Sequence, residues 1–306
     1  MRCLVTGGAG FIGSNLVEHL LTVKDGSKHD VVVYDNLLTG HRSNLQGFNC
    51  EFHQIDVSEE LPDHGKFDWI FHQAAITDPR HGDDSETLHK NIVGFERILR
   101  LAEQHKSKLV YASTAGLYGN GPVPMKEDQP KEILTAYGES KWKMDQMATP
   151  LMGKMHIVGL RYFNVFGPRE SGKGRPASMI YHLSKQMVEG KRPRIFKMGE
   201  QIRDHIYVKD CVRANLLALE GKCGVYNVGT GIGTNFNELV AALNRCWKMD
   251  LAPEYFDMPY DPKTYQSNTQ AEPSLAAANL KFKAKYSLDD GILDYIPSMK
   301  KEFNLS

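Results

Sequence analysis

The chain alternates short apolar runs with longer segments whose apolar residues recur at helical spacing. The short runs predict strands, and the residues between most of them predict helices. The predicted strands span residues 3–6, 31–35, 51–56, 69–74, 108–113 and 156–161. The predicted helices span residues 14–22, 84–104 and 137–147. This alternation predicts an α/β fold built on a doubly wound parallel sheet.

The pattern changes after residue 166. A loop rich in glycine and proline is predicted over residues 167–176, and a helix over 177–188. A strand-like run then begins at His205, and Asp210 is predicted to cap a helix that ends at Leu219. We therefore expect two lobes. They comprise residues 1–166 with 205–229, and a smaller α/β lobe of residues 167–204 with 230–306.

A glycine-rich turn follows the first predicted strand, with Gly7, Gly8, Gly10 and Gly13 in close succession. The first glycines permit a tight turn, Gly10 lets backbone approach a pyrophosphate, and Gly13 lets the helix pack closely on the strand. Asp35 ends the second strand 22 positions beyond Gly13, where a carboxylate can bind ribose hydroxyls. The larger lobe is therefore predicted to be a Rossmann dinucleotide-binding unit; the alternative is an ordinary glycine turn with an incidental carboxylate.

Composition narrows the class of protein. Among 306 residues, basic and acidic side chains balance at 37 each, which gives no general attraction to nucleic acid or acidic membranes. No apolar stretch is long enough to span a bilayer, and the first residues begin a strand instead of a signal peptide. The five cysteines are scattered and lack CxxC spacing, which argues against disulfides or structural zinc. We expect a cytoplasmic protein without a metal site.

Tyr137 and Lys141 share one face of a predicted helix, because they lie four residues apart. A phenol titrates at about pH 10 in water, so it is a poor base at neutral pH unless nearby positive charge favours the phenolate. Lys141 can supply such charge and can also bond a nicotinamide ribose. Alone, this spacing is typical of a solvated helix face; downstream of a dinucleotide-binding turn, it indicates a catalytic pair.

Six motifs in order along nearly the whole chain resemble the extended short-chain dehydrogenase/reductase family of nucleotide-sugar-modifying enzymes. They are TGGAGFIG (6–13), DNL (35–37), HQAA (72–75), YASTAGLYG (111–119), YGESK (137–141) and RYFNVFGP (161–168). The resemblance implies a catalytic set of Thr114, Tyr137 and Lys141. The cofactor-binding residues that it implies are Gly7, Gly10, Phe11, Ile12, Gly13, Asp35, Asn36, Asp56, Val57, Ala74, Ala75, Asn91, Ser113, Tyr137, Lys141 and Tyr162.

One branch of this family is disfavoured. Nucleotide-sugar 4,6-dehydratases carry an Asp-Glu pair just after the catalytic serine or threonine, whereas this chain has Ala115 and Gly116. Elimination of water needs such carboxylates as acid and base. We therefore do not expect dehydration.

The second half resembles ADP-glycero-manno-heptose 6-epimerases most closely, over residues 161–183 and 264–272. This resemblance implies that Lys173 is a second acid/base opposite Tyr137; the alternative is a phosphate or solvent contact in a flexible loop. Arg203 is expected to bind pyrophosphate, or else to form an ion pair with Asp204 or another carboxylate. The implied substrate-binding residues are Thr77, Asn164, Ser178, His182, Phe196, Arg203 and Tyr265.

Some segments depart from the heptose-epimerase pattern. Residues 77–84 and 122–129 differ from it, although both are expected near the sugar. The residues after Asp35 look more like those of NAD-using UDP-hexose epimerases. Asp35 favours a free ribose hydroxyl and repels a 2′-phosphate, whereas Arg42 could attract one. We expect NAD as cofactor, with NADP as the alternative.

Three functions stay open at this point. The first is a nucleotide-sugar epimerase of the heptose type, in which Tyr137 and Lys173 are paired acid/bases. The second is a UDP-hexose 4-epimerase, in which Tyr137 and Thr114 serve both faces of a ring ketone. The third is a net reductase or a cofactor sensor without turnover. The family resemblance also implies a homo-oligomer, at least a dimer.

Overall fold

The structure, a computed structural model, describes residues 1–23, 28–78, 82–257 and 265–305. The strands are β1 Arg2–Thr6, β2 Asp30–Asp35, β3 Glu51–Gln54, β4 Trp69–His72, β5 Lys108–Thr114, β6 Ile157–Tyr162, β7 Asn164–Phe166, β8 Arg194–Phe196, β9 Ile202–Arg203, β10 His205–Tyr207, β11 Gly224–Val228, β12 Thr234–Asn235 and β13 Glu254–Phe256. The helices are α1 Phe11–Thr22, α2 Asp84–His105, α3 Ala136–Ala148, α4 Met179–Val188, α5 Val208–Ala218, α6 Phe236–Trp247, α7 Ser274–Leu280 and α8 Leu288–Glu302.

Seven strands form one parallel sheet in the order β11-β6-β5-β4-β1-β2-β3. Its central strands are continuous apolar runs because helices cover both faces, and every residue of β6 is buried. Helices α1 and α5 pack together, as do α2 and α3. The chain leaves β1 toward β2 on one side, whereas β4 flanks the other side. The strand order therefore reverses beside β1, which is where such sheets bind ligands.

The smaller strands pair outside the large sheet. Strand β7 pairs with β10 and β8 with β13, both in parallel, whereas β9 and β12 are antiparallel. A separate apolar cluster, which includes Phe166, Tyr207, Phe236 and Tyr295, packs α4, α6 and α8 against this part of the chain. Together these elements lie over the carboxyl edge of the large sheet and supply the second wall of the cavity described below.

The predicted fold class is confirmed, and all six predicted strands and the predicted helices are present with small shifts of their ends. The proposed cap of α5 is wrong. The residue before α5 is Tyr207, which makes no side-chain cap. The carboxylate of Asp210 instead accepts hydrogen bonds from the backbone amides of Lys285 and Tyr286. A short polar side chain near a helix start can bind a distant segment, and local sequence does not distinguish the two uses.

No helix among the described residues has the length and apolar character needed to cross a membrane. In the same residues, no three His, Cys, Asp or Glu side chains come together as a group that could hold a metal ion.

Candidate active site

A cavity of about 900 Å³ opens at the carboxyl edge of the sheet and is closed on its far side by the smaller strands and α4. Every residue predicted to bind cofactor or substrate, or to act in catalysis, lines it. The segments 79–81 and 258–264 lie outside the described residues, so parts of two sequences used above have no structural account. The sequence motifs, which are far apart in the chain, thus meet in one place.

The glycine turn between β1 and α1 forms the floor of the cavity. Gly7 has a φ of 67°, and an added Cβ at Gly13 would lie 2.1 Å from the Gly7 carbonyl oxygen. Helix α1 begins at Phe11 with no side-chain cap and no acidic residue in its first turn. Its first backbone amides are therefore free for an anion, so the turn fits a pyrophosphate.

The carboxylate of Asp35 lies beside this turn. It accepts hydrogen bonds from the backbone amides of Ala9, at 2.9 Å, and Leu37, at 2.8 Å. Burial raises the pKa of Asp35, and these amides oppose that rise. The carboxylate is thus fixed at the end of β2 with lone pairs left for a hydroxyl donor.

A cluster of polar side chains lies at the same end of the cavity. Asn36 donates to Asp56 at 3.1 Å, and the Lys90 ammonium lies 3.2 Å from the same carboxylate. Burial raises the pKa of Asp56, but hydrogen bonds, from Ser58 first and then from Asn36 and Lys90, outweigh it and bring the pKa to about 2. Asp56 is therefore an anion at neutral pH with a defined orientation.

Arg42 lies away from this cavity. Its guanidinium carbon is 4.6 Å from the centroid of the Phe52 ring, and Arg42 lines a separate surface groove with Phe48 and Phe52. In this position it does not supply the cation that was considered for a 2′-phosphate.

Helix α3 presents Tyr137 and Lys141 to the cavity. Its start is fixed by Thr135, whose hydroxyl accepts a hydrogen bond from the Gly138 amide at 3.1 Å. The Lys141 ammonium lies 5.9 Å from the centroid of the Tyr137 ring. Lys141 is buried, and its ammonium has no hydrogen-bond partner among the described residues. A buried donor without a partner is costly, and a ribose hydroxyl would satisfy it.

The protonation of this pair is set by burial. Burial raises the pKa of Tyr137 to about 12, against a smaller lowering by Thr114. Burial also lowers the pKa of Lys141 to about 7, which Asp145 partly offsets. At neutral pH the phenol is therefore protonated and the amine only partly charged. More positive charge beside Tyr137 is needed before the phenol can act as a base, and a bound oxidised nicotinamide carries such a charge.

Thr114 ends β5 next to this pair, and its hydroxyl accepts a hydrogen bond from the Gly116 amide at 3.1 Å. The turn that follows is held by a residue distant in the sequence. The Gln266 side-chain amide donates to the carbonyl of Gly119 at 2.8 Å and to that of Ala115 at 3.3 Å, across separations of 147 and 151 residues. A long-range contact therefore fixes the turn after Thr114.

Lys173 lines the same cavity from the loop between β7 and α4. Its ammonium lies 5.5 Å from the centroid of the Phe11 ring. Burial lowers its pKa, and Glu170 first and then Asp78 oppose that shift. The loop also contacts the residues after β2, because His41 Nε2 lies 3.3 Å from the Gly172 carbonyl oxygen. Lys173 thus lines the cavity from a loop that contacts the glycine-turn side of the molecule.

Arg203 is held by carbonyl groups. Its guanidinium donates to the backbone oxygens of Ile202, Gln266 and Ser267 at 2.9, 2.6 and 2.7 Å. The alternative of an ion pair with Asp204 is not observed: that carboxylate accepts from backbone amides, including that of Thr230 at 2.8 Å. Because no described carboxylate neutralises it, the guanidinium keeps its charge for an anion in the cavity.

The remaining substrate candidates line the same cavity, and Tyr265 lies beside Arg203. The ring of Tyr265 lies 5.2 Å from the Arg203 guanidinium and 6.1 Å from the Phe196 ring. Asn164 accepts a hydrogen bond from the Thr269 hydroxyl at 2.8 Å. His182 Nε2 lies 3.2 Å from the Arg175 carbonyl oxygen. Two aromatic rings and a cation at one end of the cavity suit the base and phosphates of a nucleotide.

Sequence reasoning missed several lining residues and misplaced one segment. Lys90, Arg175 and His205 line the cavity; each lies within two residues of a predicted site residue, which is the signal that could have found them. None of residues 122–129 is among the described lining residues, so their expected place near the sugar is wrong. That segment instead joins the smaller strands, where the Met125 amide donates to the Gln270 carbonyl at 2.7 Å.

With this geometry established, comparison with known proteins identifies the class. The model of the NAD dependent epimerase/dehydratase family matches residues 3–229. This range contains the glycine turn, Asp35, and the Thr114, Tyr137 and Lys141 set. The chain belongs to this family.

Particular relatives match over nearly their full length. The chain is 34% identical over 314 aligned residues to ADP-L-glycero-D-manno-heptose-6-epimerase of Brachyspira hyodysenteriae, with 97% of this chain and 98% of that protein covered. The crystal structure of the Helicobacter pylori ADP-L-glycero-D-manno-heptose-6-epimerase matches at a TM-score of 0.90 and 35% identity, over 97% and 96% of the two chains. The UDP-glucose 4-epimerase of Thermotoga maritima, solved with UDP-glucose, matches at 0.87 and 30% identity over 99% of each chain.

Proposed function

We propose that this chain is a nucleotide-sugar epimerase of the ADP-glycero-manno-heptose 6-epimerase type. The carrying observation is that Lys173 and Tyr137 line the same cavity, Lys173 from the loop between β7 and α4 and Tyr137 from α3. The near full-length similarity to heptose epimerases supports this choice of substrate. An exocyclic carbon can present either face after a bond rotation, so two acid/base groups can serve the two orientations.

The proposed roles follow from the side chains that line the cavity. Tyr137 takes the proton of the substrate hydroxyl as the carbon becomes a carbonyl, and the Thr114 hydroxyl hydrogen-bonds the same oxygen. Once the carbonyl has turned, Lys173 gives a proton to its oxygen in the second orientation; Tyr137 then returns its proton to solvent and Lys173 takes one up. NAD, held by the glycine turn, Asp35 and Lys141, would supply the acceptor and donor of the hydride. Arg203 binds the substrate phosphates, and Phe196 and Tyr265 contact the nucleobase.

Replacement of Lys173 by Met tests the two-group proposal. We expect epimerisation of ADP-glycero-manno-heptose to fall by about 100-fold or more, because proton transfer in one orientation is lost. The measurement is proton NMR of the purified protein incubated with the sugar and no added cofactor. The matched control is Lys185→Met, which changes a lysine of α4 that does not line the cavity. Near wild-type activity of the Lys173 variant would contradict the proposal.

The second candidate is a UDP-hexose 4-epimerase, favoured by the structural similarity to UDP-glucose 4-epimerase and by the residues after Asp35. In that reaction Lys173 is dispensable. The same NMR assay with UDP-glucose, UDP-galactose and UDP-glucuronate separates the two. Conversion of a UDP-sugar alone would establish the second candidate. A single reduction that consumes added cofactor would indicate a reductase, and tight binding without turnover would indicate a sensor.

We infer that the cofactor is NAD and not NADP. The support is the fixed Asp35 carboxylate, which repels a 2′-phosphate, together with the position of Arg42 against Phe52. Mass spectrometry of nucleotide released from purified protein should find NAD. Asp35→Asn should raise the affinity for NADP relative to NAD, whereas Arg42→Ala should leave this ratio unchanged. A loss of NADP affinity in the Arg42 variant would overturn the assignment.

The organisation of the molecule completes the proposal. We assign residues 1–166 and 205–229 to the cofactor-binding lobe, and 167–204 and 230–306 to the nucleotide-sugar-binding lobe. The protein is proposed to be cytoplasmic and to form at least a dimer through surface helices of the first lobe. Light scattering at working concentration tests this oligomeric state, and a monomeric mass would overturn it.

A further inference from the structure

Glu170 is a carboxylate with no exposed surface, in the loop that connects β7 to α4. It lies three residues before Lys173, on the same loop. Taking a carboxylate out of water is unfavourable unless hydrogen bonds and charge compensate it. The contacts of Glu170 therefore indicate what this position does for the loop.

Three donors bind the Glu170 carboxylate, and they come from the two ends of the loop. The Gly167 amide donates to Oε1 at 3.1 Å. The Ser178 amide donates to Oε2 at 2.6 Å, and the Ser178 hydroxyl to Oε1 at 2.9 Å. Ser178 is also the N-cap of α4, because its hydroxyl accepts from the Tyr181 amide at 3.2 Å. One carboxylate thus joins the end of β7 to the start of α4 and closes the loop that carries Lys173.

The charges around Lys173 come from several elements. Glu170 lies on its own loop and Asp78 on the loop after β4, and both oppose the fall that burial imposes on the Lys173 pKa. Arg169 and Arg175 flank it in the same cavity wall. On its other side, Glu170 faces the phenols of Tyr181 and Tyr295. The Lys173 amide also donates to the Glu170 carbonyl at 3.0 Å. Burial raises the pKa of Glu170 itself, and Lys173 first, then the Ser178 and Gly167 donors, oppose that rise. Of the two acidic neighbours of Lys173, Glu170 therefore has the larger effect.

We propose that Glu170 is a positioning residue that closes the 167–178 loop and places a buried carboxylate beside Lys173 in the cavity. The inference rests on the proposed function in one respect, which is the transfer of the Lys173 proton to the substrate. The loop geometry and the buried anion do not depend on which sugar binds. Glu170 itself touches the Lys173 loop and α4, and it acts on the reaction through Lys173.

The test measures the protonation of Lys173 without turnover. Purified wild-type and Glu170→Gln proteins are treated with limiting acetic anhydride from pH 6 to 11, and acetylation of the Lys173 peptide is followed by mass spectrometry. Because an ionised neighbour is lost, the midpoint of Lys173 acetylation should fall by about one pH unit or more. The matched control is Glu189→Gln, which removes an exposed carboxylate beside Lys191 and should not move the midpoint.

Two further variants separate charge from loop closure. Ser178→Ala removes one donor but keeps the anion, so it should lower the thermal unfolding temperature and leave the midpoint in place. If Glu170→Gln does not fold, Glu170→Asp moves the charge away and should give a smaller downward shift. An unchanged midpoint in the folded Glu170 variants would overturn the inference. If the midpoint falls while the pH profile of turnover stays fixed, the inference holds and the catalytic role proposed for Lys173 fails.

Discussion

Thr114 presents one hydroxyl at the point where β5 ends beside Tyr137. Its oxygen accepts a hydrogen bond from the Gly116 amide at 3.1 Å, which leaves the hydroxyl proton free to be donated. Replacement by Val keeps the shape of the side chain but removes the donor. We expect Thr114→Val to lower kcat by about 100-fold, because one hydrogen bond to the reacting oxygen is lost. Steady-state NMR rates with the sugar that the enzyme converts provide the measurement.

Thr114→Ser is the matched control, because serine restores the hydroxyl without the methyl group. It should retain most of the activity and wild-type thermal stability. The valine variant also leaves the Gly116 amide without its acceptor, so it should lose about 1 kcal/mol of stability. Activity of the valine variant equal to wild type would show that the hydroxyl is not used.

At the scale of elements, the turn between β1 and α1 leaves no room for a side chain. An alanine Cβ at Gly13 would lie 2.1 Å from the Gly7 carbonyl oxygen, which is far inside normal contact. Gly13→Ala should therefore displace α1 from β1, abolish co-purifying nicotinamide cofactor and lower the thermal unfolding temperature. Nucleotide content after heat release and a thermal melt measure the two effects.

Gly153 offers a matched control for this change. An added Cβ at Gly153 has no neighbour within 4 Å, so Gly153→Ala should leave both the cofactor content and the melting temperature at wild-type values. Retention of cofactor by Gly13→Ala would contradict the steric argument for the turn.

The sequence pattern predicts six of the seven strands of the large sheet, because most of them are short apolar runs that are buried on both faces. It predicts the small strands poorly. Strands β8, β9, β12 and β13 have two or three residues each, and pairing of such short segments depends on tertiary contacts. Residues 122–129 were misplaced for the same reason, since the Met125 amide pairs with Gln270, far along the chain.

The site was predictable where a motif requires a particular residue type. The glycine turn and the Tyr137–Lys141 pair on one helix face can be recognised from the spacing of their residues. Glu170 could not, because it has no partner at a fixed spacing. Its importance comes from complete burial, and burial is set by the whole fold.

At the scale of the whole molecule, two buried histidines couple stability to pH. Burial first, and then Lys141, lowers the pKa of His72 to about 3; burial and Arg203 do the same for His205. Below the unfolded-state value of about 6.5, the unfolded chain binds protons that the folded protein excludes. The contribution of these histidines to the free energy of unfolding is therefore fully present above that pH and is lost as the pH drops toward 3. Between pH 7 and pH 5, each histidine should lower the free energy of unfolding by about 2 kcal/mol.

Urea unfolding between pH 5 and 8 measures this dependence. His205→Phe should reduce its slope by about one proton, because the phenyl ring does not titrate. His89→Phe, which changes an exposed histidine of α2, should leave the slope as it is. An unchanged slope in the His205 variant would show that this ring is charged in the folded protein.

The bonds from Gln266 to Ala115 and Gly119 carry a consequence for synthesis of the chain. The ribosome releases the glycine turn, Asp35 and Tyr137 early, and nascent segments of this kind begin to fold before the chain is finished. Gln266, and the backbone carbonyls of Gln266 and Ser267 that hold Arg203, are made at least 129 residues after Tyr137. A growing chain can therefore build its nucleotide cradle long before it can fix the turn after Thr114. The site is complete only after Gln266 and Ser267 have been made.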